Sequence, residues 1–361
     1  MTLARFDFRN NGIGFLRLCF AGIVVWMHAY GVGGFGSDPI IAAGSALSSG
    51  FLAVAGFFVL SGFLITRSFE RVGNGGRFLW HRLLRIFPGY WVCLFVTAFV
   101  LARLIFVHAQ GTSHGYPSEV PSPLSYIDRN AWLITGQETI GSVLKGLPEW
   151  RYLNGSLWTL QFEFGCYLSV LALGILGALR WRAVSAVMLL VFYVATAVIL
   201  TTHNANNTLI IYVASELGVF FWMGACAYLF RDRIAVRGWL AVLCAVATTL
   251  ALRTPGYAIV VMPCVAYLTI YVAMYLPIRS FDRKVDLSYG LYIYAYPVQQ
   301  LLTAYGVNRY GFLAYLGASL GVSLLCAAAS WFCIEHSFLR LKNIKLGFTA
   351  LSGPSRVERP G

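Results

Sequence analysis

Charge is scarce in this 361-residue chain: only 11% of its residues are Asp, Glu, Lys or Arg. A soluble domain carries about 25%, so a conventional water-soluble globule is excluded. Acidic residues are scarcer still, 14 against 27 Lys and Arg. The chain has six histidines and eight cysteines, but no Cys-x-x-Cys pair and no Cys/His cluster. Zinc and other metal sites are therefore not expected. Every cysteine lies in an apolar run, where a thiol behaves as a small hydrophobe and a disulfide is not expected.

What the chain has in abundance is apolar sequence: 58% hydrophobic residues and a mean hydropathy of +0.70. Stretches long enough to span a bilayer run over 13–31, 50–67, 87–107, 157–178, 183–201, 209–230, 238–252, 257–276, 287–304 and 312–333. About 20 apolar residues make a span, fewer when neighbours reinforce it. The expected fold is all-α, a polytopic membrane bundle of about ten transmembrane helices. Sorting Lys and Arg onto alternate sides places twenty on one side and six on the other, with Arg17 inside the membrane. The positive-inside rule then puts both termini in the cytoplasm, and an odd number of spans scrambles the sorting. The net charge of +13 is thus topological and needs no nucleic acid partner. The first apolar run lacks a small-residue cleavage site and reads as a retained anchor. Residues 1–345 read as one membrane domain with a large outer connection over 108–155. Residues 346–361, small and polar, read as a disordered cytoplasmic tail.

Ionisable residues inside apolar runs are costly and point to a site. Arg17 and His28 lie eleven residues apart in the first run, which is ~16 Å and nearly three whole turns of helix, so they share a face. Snorkelling of Arg17 and a helix–helix hydrogen bond from His28 explain the same residues without chemistry. The second run, Gly56 to Ile65, carries small residues at Gly56, Ser61 and Gly62 and reads as close helix packing. Arg82 and Arg85 stand three apart in Trp80-His81-Arg82-Leu83-Leu84-Arg85; arginine forks match phosphate oxygens, and arginines that only hold the topology explain the same pair. Glu163 falls about two turns into the fourth run, entering from outside. It reads as the carboxylate of an acid–base pair with His28 in the outer half, or as a helix-to-helix hydrogen bond without chemistry. Glu216 lies in the outer half of the sixth run, lining the same cavity or pairing with Arg103. Asp286 and Ser288 read as helix-capping residues, and Glu335, His336 and Arg340 as a surface ion pair. His81, His108, His114 and His203 lie at span ends or in loops and are not expected to be catalytic. The 108–155 connection holds four prolines and sets Tyr116, Tyr126, Trp132, Trp150 and Tyr152 among carboxylates. It reads equally as a carbohydrate-binding surface and as an interfacial lid.

Taken in order, these motifs resemble the membrane acyltransferase-3 family over nearly the whole length. Arg17 and His28 reproduce its Arg-x10-His feature. Phe57 to Ile65, Arg82 to Trp91, Gly155 to Leu160 followed by Glu163, Ser288 to Tyr292 and Trp331 to Leu341 match its later segments. Two positions depart: Ala295 precedes Tyr296-Pro297 where His is common, and Ser337 stands where Pro is common. The resemblance implies a multi-pass inner-membrane O-acyltransferase, most simply an O-acetyltransferase. Its donor is cytoplasmic acetyl-CoA or another acyl-CoA, with no tightly bound cofactor. Its acceptor is a hydroxyl of an extracytoplasmic or lipid-linked glycan, as in polysaccharide modification. His28 and Glu163 are then the catalytic candidates, and Arg17, Arg82 and Arg85 hold the donor's phosphates. Trp158, Tyr167 and Glu216 are candidates to touch substrate. A homodimer is left open. Buried Arg, His and Glu also suit a transporter of a glycan intermediate or small anion, although no internal repeat of the kind common in transporter folds is present.

Overall fold

The computed structural model describes residues 1–201, 209–254, 257–278, 281 and 285–344. The expected tail at 346–361, His203, Arg279, Arg283 and Lys284 lie outside the described residues.

Each of the ten apolar stretches falls on a helix. They are α1 (Ile13–Gly33), α2 (Ser49–Val72), α3 (Gly75–Gln110), α4 (Trp158–Ile175), α5 (Arg182–Thr201), α6 (Leu209–Leu229), α7 (Gly238–Ala251), α8 (Ala258–Tyr275), α9 (Ser288–Ala304) and α10 (Phe312–Arg340). Among the described residues, six helices are long and apolar enough to cross a membrane: α1, α2, α3, α4, α10 and residues Arg182–Ile199 of α5. The chain is therefore a helical membrane protein. Local chemistry sets the ends. The Ser48 hydroxyl accepts from the Phe51 N–H at 3.0 Å and the Asn74 side-chain Oδ1 from the Arg77 N–H at 2.9 Å, capping α2 and α3. Gly34 and Gly73 close α1 and α2 in the left-handed conformation, φ +77° and +64°.

Helix α3 is longer than its apolar run. It spans 36 residues, ~54 Å against a hydrocarbon core of ~30 Å. Its first three turns carry Arg77, Arg82 and Arg85, which end a hydropathy window without ending a helix.

The core is built on α1, α2, α6 and α9. Helix α2 packs along α6, and α1 lies between α2 and α9. Where α2 meets α6 the backbones touch: a Cβ on Gly62 overlaps the Phe221 carbonyl, and one on Gly224 overlaps the Val59 carbonyl. The small-residue reading of Gly62 therefore holds, because only glycine admits this approach. Gly56 similarly seats the Phe20 ring of α1.

The 108–155 connection is a folded part of the core. Leu133, Ile140, Leu144 and Leu153 are buried. Asn130, itself buried, ties the segment together: its Nδ2 donates to the Tyr126 and Gln137 carbonyls, and its Oδ1 accepts from the Gly136 and Gln137 N–H groups. The Tyr90 hydroxyl on α3 donates to the Asn130 carbonyl at 2.6 Å. Satisfying both polar atoms of the Asn130 side chain and the backbone groups around it in this way lets an irregular segment pack inside a membrane protein.

Candidate active site

Arg17 and His28 both face α9, as their spacing requires. Arg17 reaches Asp286 just ahead of α9 at 2.9 Å. The His28 ring packs edge-on against Tyr296, centroids 4.8 Å apart. Asp286 and Tyr296 are ten residues apart, so α1 and α9 run past one another with a charged end and an aromatic end.

At the charged end Asp286 does more than cap. Its Oδ1 accepts from the Ser288 N–H and hydroxyl, at 3.1 and 2.6 Å. Its Oδ2 accepts from Arg17 and from Arg85, the latter at 2.5 Å. Arg85 also reaches Glu335 at 3.5 Å. The expected surface ion pair at Glu335 is corrected here: Glu335 is 2% exposed, accepts from the Ser330 hydroxyl at 3.0 Å and faces Arg85. The reason is local. Residues Trp331–Glu335 form a π-turn within α10, and the inserted residue turns the side chains that follow it relative to a plain helix. Two arginines and two carboxylates thus neutralise one another.

Arg82 stands apart. Its guanidinium donates to the Ser68 hydroxyl at 3.3 Å, its Nε is enclosed with no hydrogen bond, and no carboxylate of the described residues lies within ion-pair distance. It borders a cavity of about 130 Å³ shared with Arg17, Arg85, Ser61, Glu163 and Tyr167. The Arg82 guanidinium carbon lies 6.0 Å from the centroid of the Tyr167 ring. Beside this rim, Lys342 has its ammonium pKa pushed down to about 8, first by burial and then by Arg82 and Arg85. The segment carrying it is fastened to α3, where the Trp80 indole donates to the Leu341 carbonyl at 3.2 Å.

Glu163 lies deeper in the same cavity. It accepts from the Ser61 hydroxyl at 3.1 Å and from the Tyr167 hydroxyl. Ser61, read from sequence only as a packing residue, is therefore part of the site. The cavity extends to the hydroxyls of Thr159 and Tyr292, which are hydrogen-bonded to each other at 2.6 Å.

His28 does not line this cavity. Its neighbour Tyr296 follows Tyr292 by one helical turn, ~6 Å along α9. Nδ1 of His28 is enclosed without a hydrogen bond, which leaves Nε2 as its reachable nitrogen. The structure does not bring His28 and Glu163 into contact, because the Glu163 carboxylate is taken by Ser61 and Tyr167.

Of the remaining candidates, Tyr167 lines the cavity. Trp158 packs on Phe162 at 5.8 Å, and Glu216 is buried in α6 away from the cavity lining. Sequence reasoning missed Gln299 and Gln300, both 0% exposed, one turn beyond Tyr296. Two adjacent amides inside an apolar run were the available signal.

This layout, cations and a carboxylate along a cavity with one imidazole about a turn of α9 beyond it, coincides with a family match. The acyltransferase-3 family model, described as an acyltransferase domain, covers residues 10–332. The chain belongs to this acyltransferase family. It is 25% identical over 346 residues to an "O-acetyl transferase" of Shigella phage Sf6, covering 94% of this chain and 98% of that one. It is 28% identical over 303 residues to "Nodulation protein 10" of Rhizobium leguminosarum bv. viciae, covering 77% and 79%. No solved structure matches. Membership makes the chain an acyltransferase enzyme.

Proposed function

We propose that the protein is an inner-membrane O-acetyltransferase that takes the acyl group of cytoplasmic acetyl-CoA and places it on a hydroxyl of an extracytoplasmic or lipid-linked glycan. In this reading α1 to α10 are ten spans with both termini cytoplasmic, so the Arg17 end faces the cytoplasm and the His28 end faces outward.

The observation that carries the reading is the unpaired cation at the cavity mouth. Arg17 and Arg85 share Asp286, so their charge is already compensated. Arg82, with Lys342 nearby, is left to attract the donor's phosphates, a geometry suited to guanidinium forks. Arg17 and Arg85 then keep the mouth shaped and offer their remaining N–H groups. The thin acyl-bearing arm of the donor enters along Tyr167, Glu163 and Ser61. Its thioester arrives at Thr159 and Tyr292, one turn short of His28.

Transfer follows from these positions. The acceptor hydroxyl oxygen attacks the thioester carbon and forms the ester C–O bond. The C–S bond breaks, and the coenzyme leaves as a thiolate. His28 Nε2 takes the hydroxyl proton, and that proton later passes to the thiolate. Glu163 accepts from the Ser61 and Tyr167 hydroxyls and so keeps both aimed into the cavity. The Thr159–Tyr292 hydrogen bond opens for the thioester to meet His28.

The test is a donor-binding measurement on the purified protein. Acetyl-CoA raises its unfolding temperature, since a ligand that binds only the folded state stabilises it. No shift at millimolar acetyl-CoA, with uptake of solute into reconstituted vesicles, assigns the cavity to transport instead.

A further inference from the structure

The outer ends of α1 and α9 hold polar atoms that the acyl-donor cavity does not use. Gln299 and Gln300 are each 0% exposed and follow Tyr296 by three and four residues, within one turn. Gln299 Nε2 donates to the Val25 carbonyl at 2.8 Å, three residues before His28 on α1. Gln300 Nε2 donates to the Glu149 and Tyr152 carbonyls, both at 2.7 Å. Every partner is a carbonyl, so the nitrogen of each amide must be where it is, and the orientation of both side chains is fixed. Both Oε1 atoms are enclosed and have no hydrogen bond. His28 Nδ1 shares that condition. One turn further along the same interface the polar atoms are paired: the Thr303 hydroxyl donates to the Val32 carbonyl at 3.1 Å and meets the Tyr315 hydroxyl at 2.9 Å. Within α1 and α9, among the described residues, the enclosed side-chain atoms without a partner all lie at the level of His28.

We infer that Gln299 and Gln300 form the acceptor subsite of this enzyme, in which their Oε1 atoms accept hydrogen bonds from neighbouring hydroxyls of a polyhydroxylated acceptor and so present one further hydroxyl to His28. The inference rests on the acyl-transfer reading above and names the group that meets the acyl donor. Two neutral amide oxygens suit neutral O–H donors; an ammonium group calls for a carboxylate. Two acceptors on one turn require a ligand with more than one hydroxyl, which selects a sugar ring over a simple alcohol. The entrance agrees with this. Pro148 closes over Gly34 at the end of α1, 3.0 Å from the position of a Cβ there. Gln300 pins the next residues of that strap by their carbonyls. The strap carries Trp150 and Tyr152, 60% and 37% exposed, whose flat faces suit the apolar face of a sugar.

The experiment compares Gln299→Met, Gln300→Met and Gln300→Lys in the full-length protein. Gln300→Lys keeps an N–H donor for the strap carbonyls while it replaces the acceptor oxygen with an ammonium charge, and Gln300→Met removes the oxygen without adding charge. Base-labile acetate on the cells' own surface polysaccharide reports acceptor use, and acetyl-CoA affinity of the purified protein reports the donor side. All three variants are expected to lower surface O-acetate at least tenfold, with acetyl-CoA Kd within twofold of wild type. Wild-type O-acetate in Gln299→Met and Gln300→Lys overturns the subsite and shows the oxygens to be merely hydrated. A parallel loss of acetyl-CoA affinity in the variants also overturns it, assigning both glutamines to the fold. Failure of the wild-type protein to bind acetyl-CoA is the distinct result that removes the acyl-transfer reading itself.

Discussion

The two ends of the α1–α9 interface treat buried polarity in opposite ways. At the Arg17 end, Arg17, Arg85, Asp286 and Glu335 form a closed set in which each charge has a partner. At the His28 end, an imidazole nitrogen and two amide oxygens are enclosed with none. A paired set is a structural device, costly to break and already complete. Unpaired groups carry a standing penalty, about 1–3 kcal/mol for each neutral one, which a hydrogen-bonding ligand would relieve. By the same criterion Arg82, whose Nε is enclosed and unpartnered, belongs with His28 even though it lies at the charged end.

Breaking the paired end has the largest expected effect on stability. Asp286→Ala leaves Arg17 and Arg85 without their shared carboxylate, and removing one partner of a buried ion pair costs about 3–5 kcal/mol. Thermal unfolding in detergent shows a clear drop in Tm; an unchanged Tm makes the pair dispensable and erases the contrast between the two ends. Arg82→Ala sharpens the contrast from the other direction. It weakens acetyl-CoA binding by about 10–100-fold, or about 1.4–2.8 kcal/mol, while Tm stays at or above wild type, because the lost group had no ionic partner. Titration calorimetry with acetyl-CoA checks it, and a Tm loss as large as that of Asp286→Ala contradicts it.

A smaller effect is expected from pH. Burial, Arg82 and Arg85 hold the Lys342 ammonium near a pKa of about 8, so the amine is charged below that pH and neutral above it. An anionic donor binds the charged form better. Affinity is therefore full below pH 8 and declines as pH rises through it, by at most tenfold per unit. Lys342→Ala flattens the profile between pH 7 and 9. A profile equally steep in that variant places the titrating group elsewhere.

The helices were legible because apolar runs are long and a bilayer demands a helix wherever one crosses. The shared face of Arg17 and His28 was legible from helical period alone. The full length of α3 was not, because Arg77, Arg82 and Arg85 interrupt hydropathy without interrupting a helix. The burial of Glu335 was not legible either. It depends on a π-turn and on Arg85, 250 positions away in sequence. The sequence placed Glu163 at a depth compatible with His28. Depth does not fix which way a side chain faces, and Glu163 faces Ser61 and Tyr167. Gln299 and Gln300 passed unnoticed because neutral amides carry no charge to flag them. Their importance appears only once Val25, Glu149 and Tyr152 are seen to occupy their nitrogens.

In the proposed reaction, donor binding and acyl transfer occupy different levels of one passage, separated by Thr159 and Tyr292. His28→Ala measured for both properties in a single preparation tests it most directly. The expected result is acetyl-CoA affinity within twofold of wild type together with loss of acetyl transfer to surface polysaccharide, by at least a hundredfold. Transfer at the wild-type rate in that variant contradicts the account.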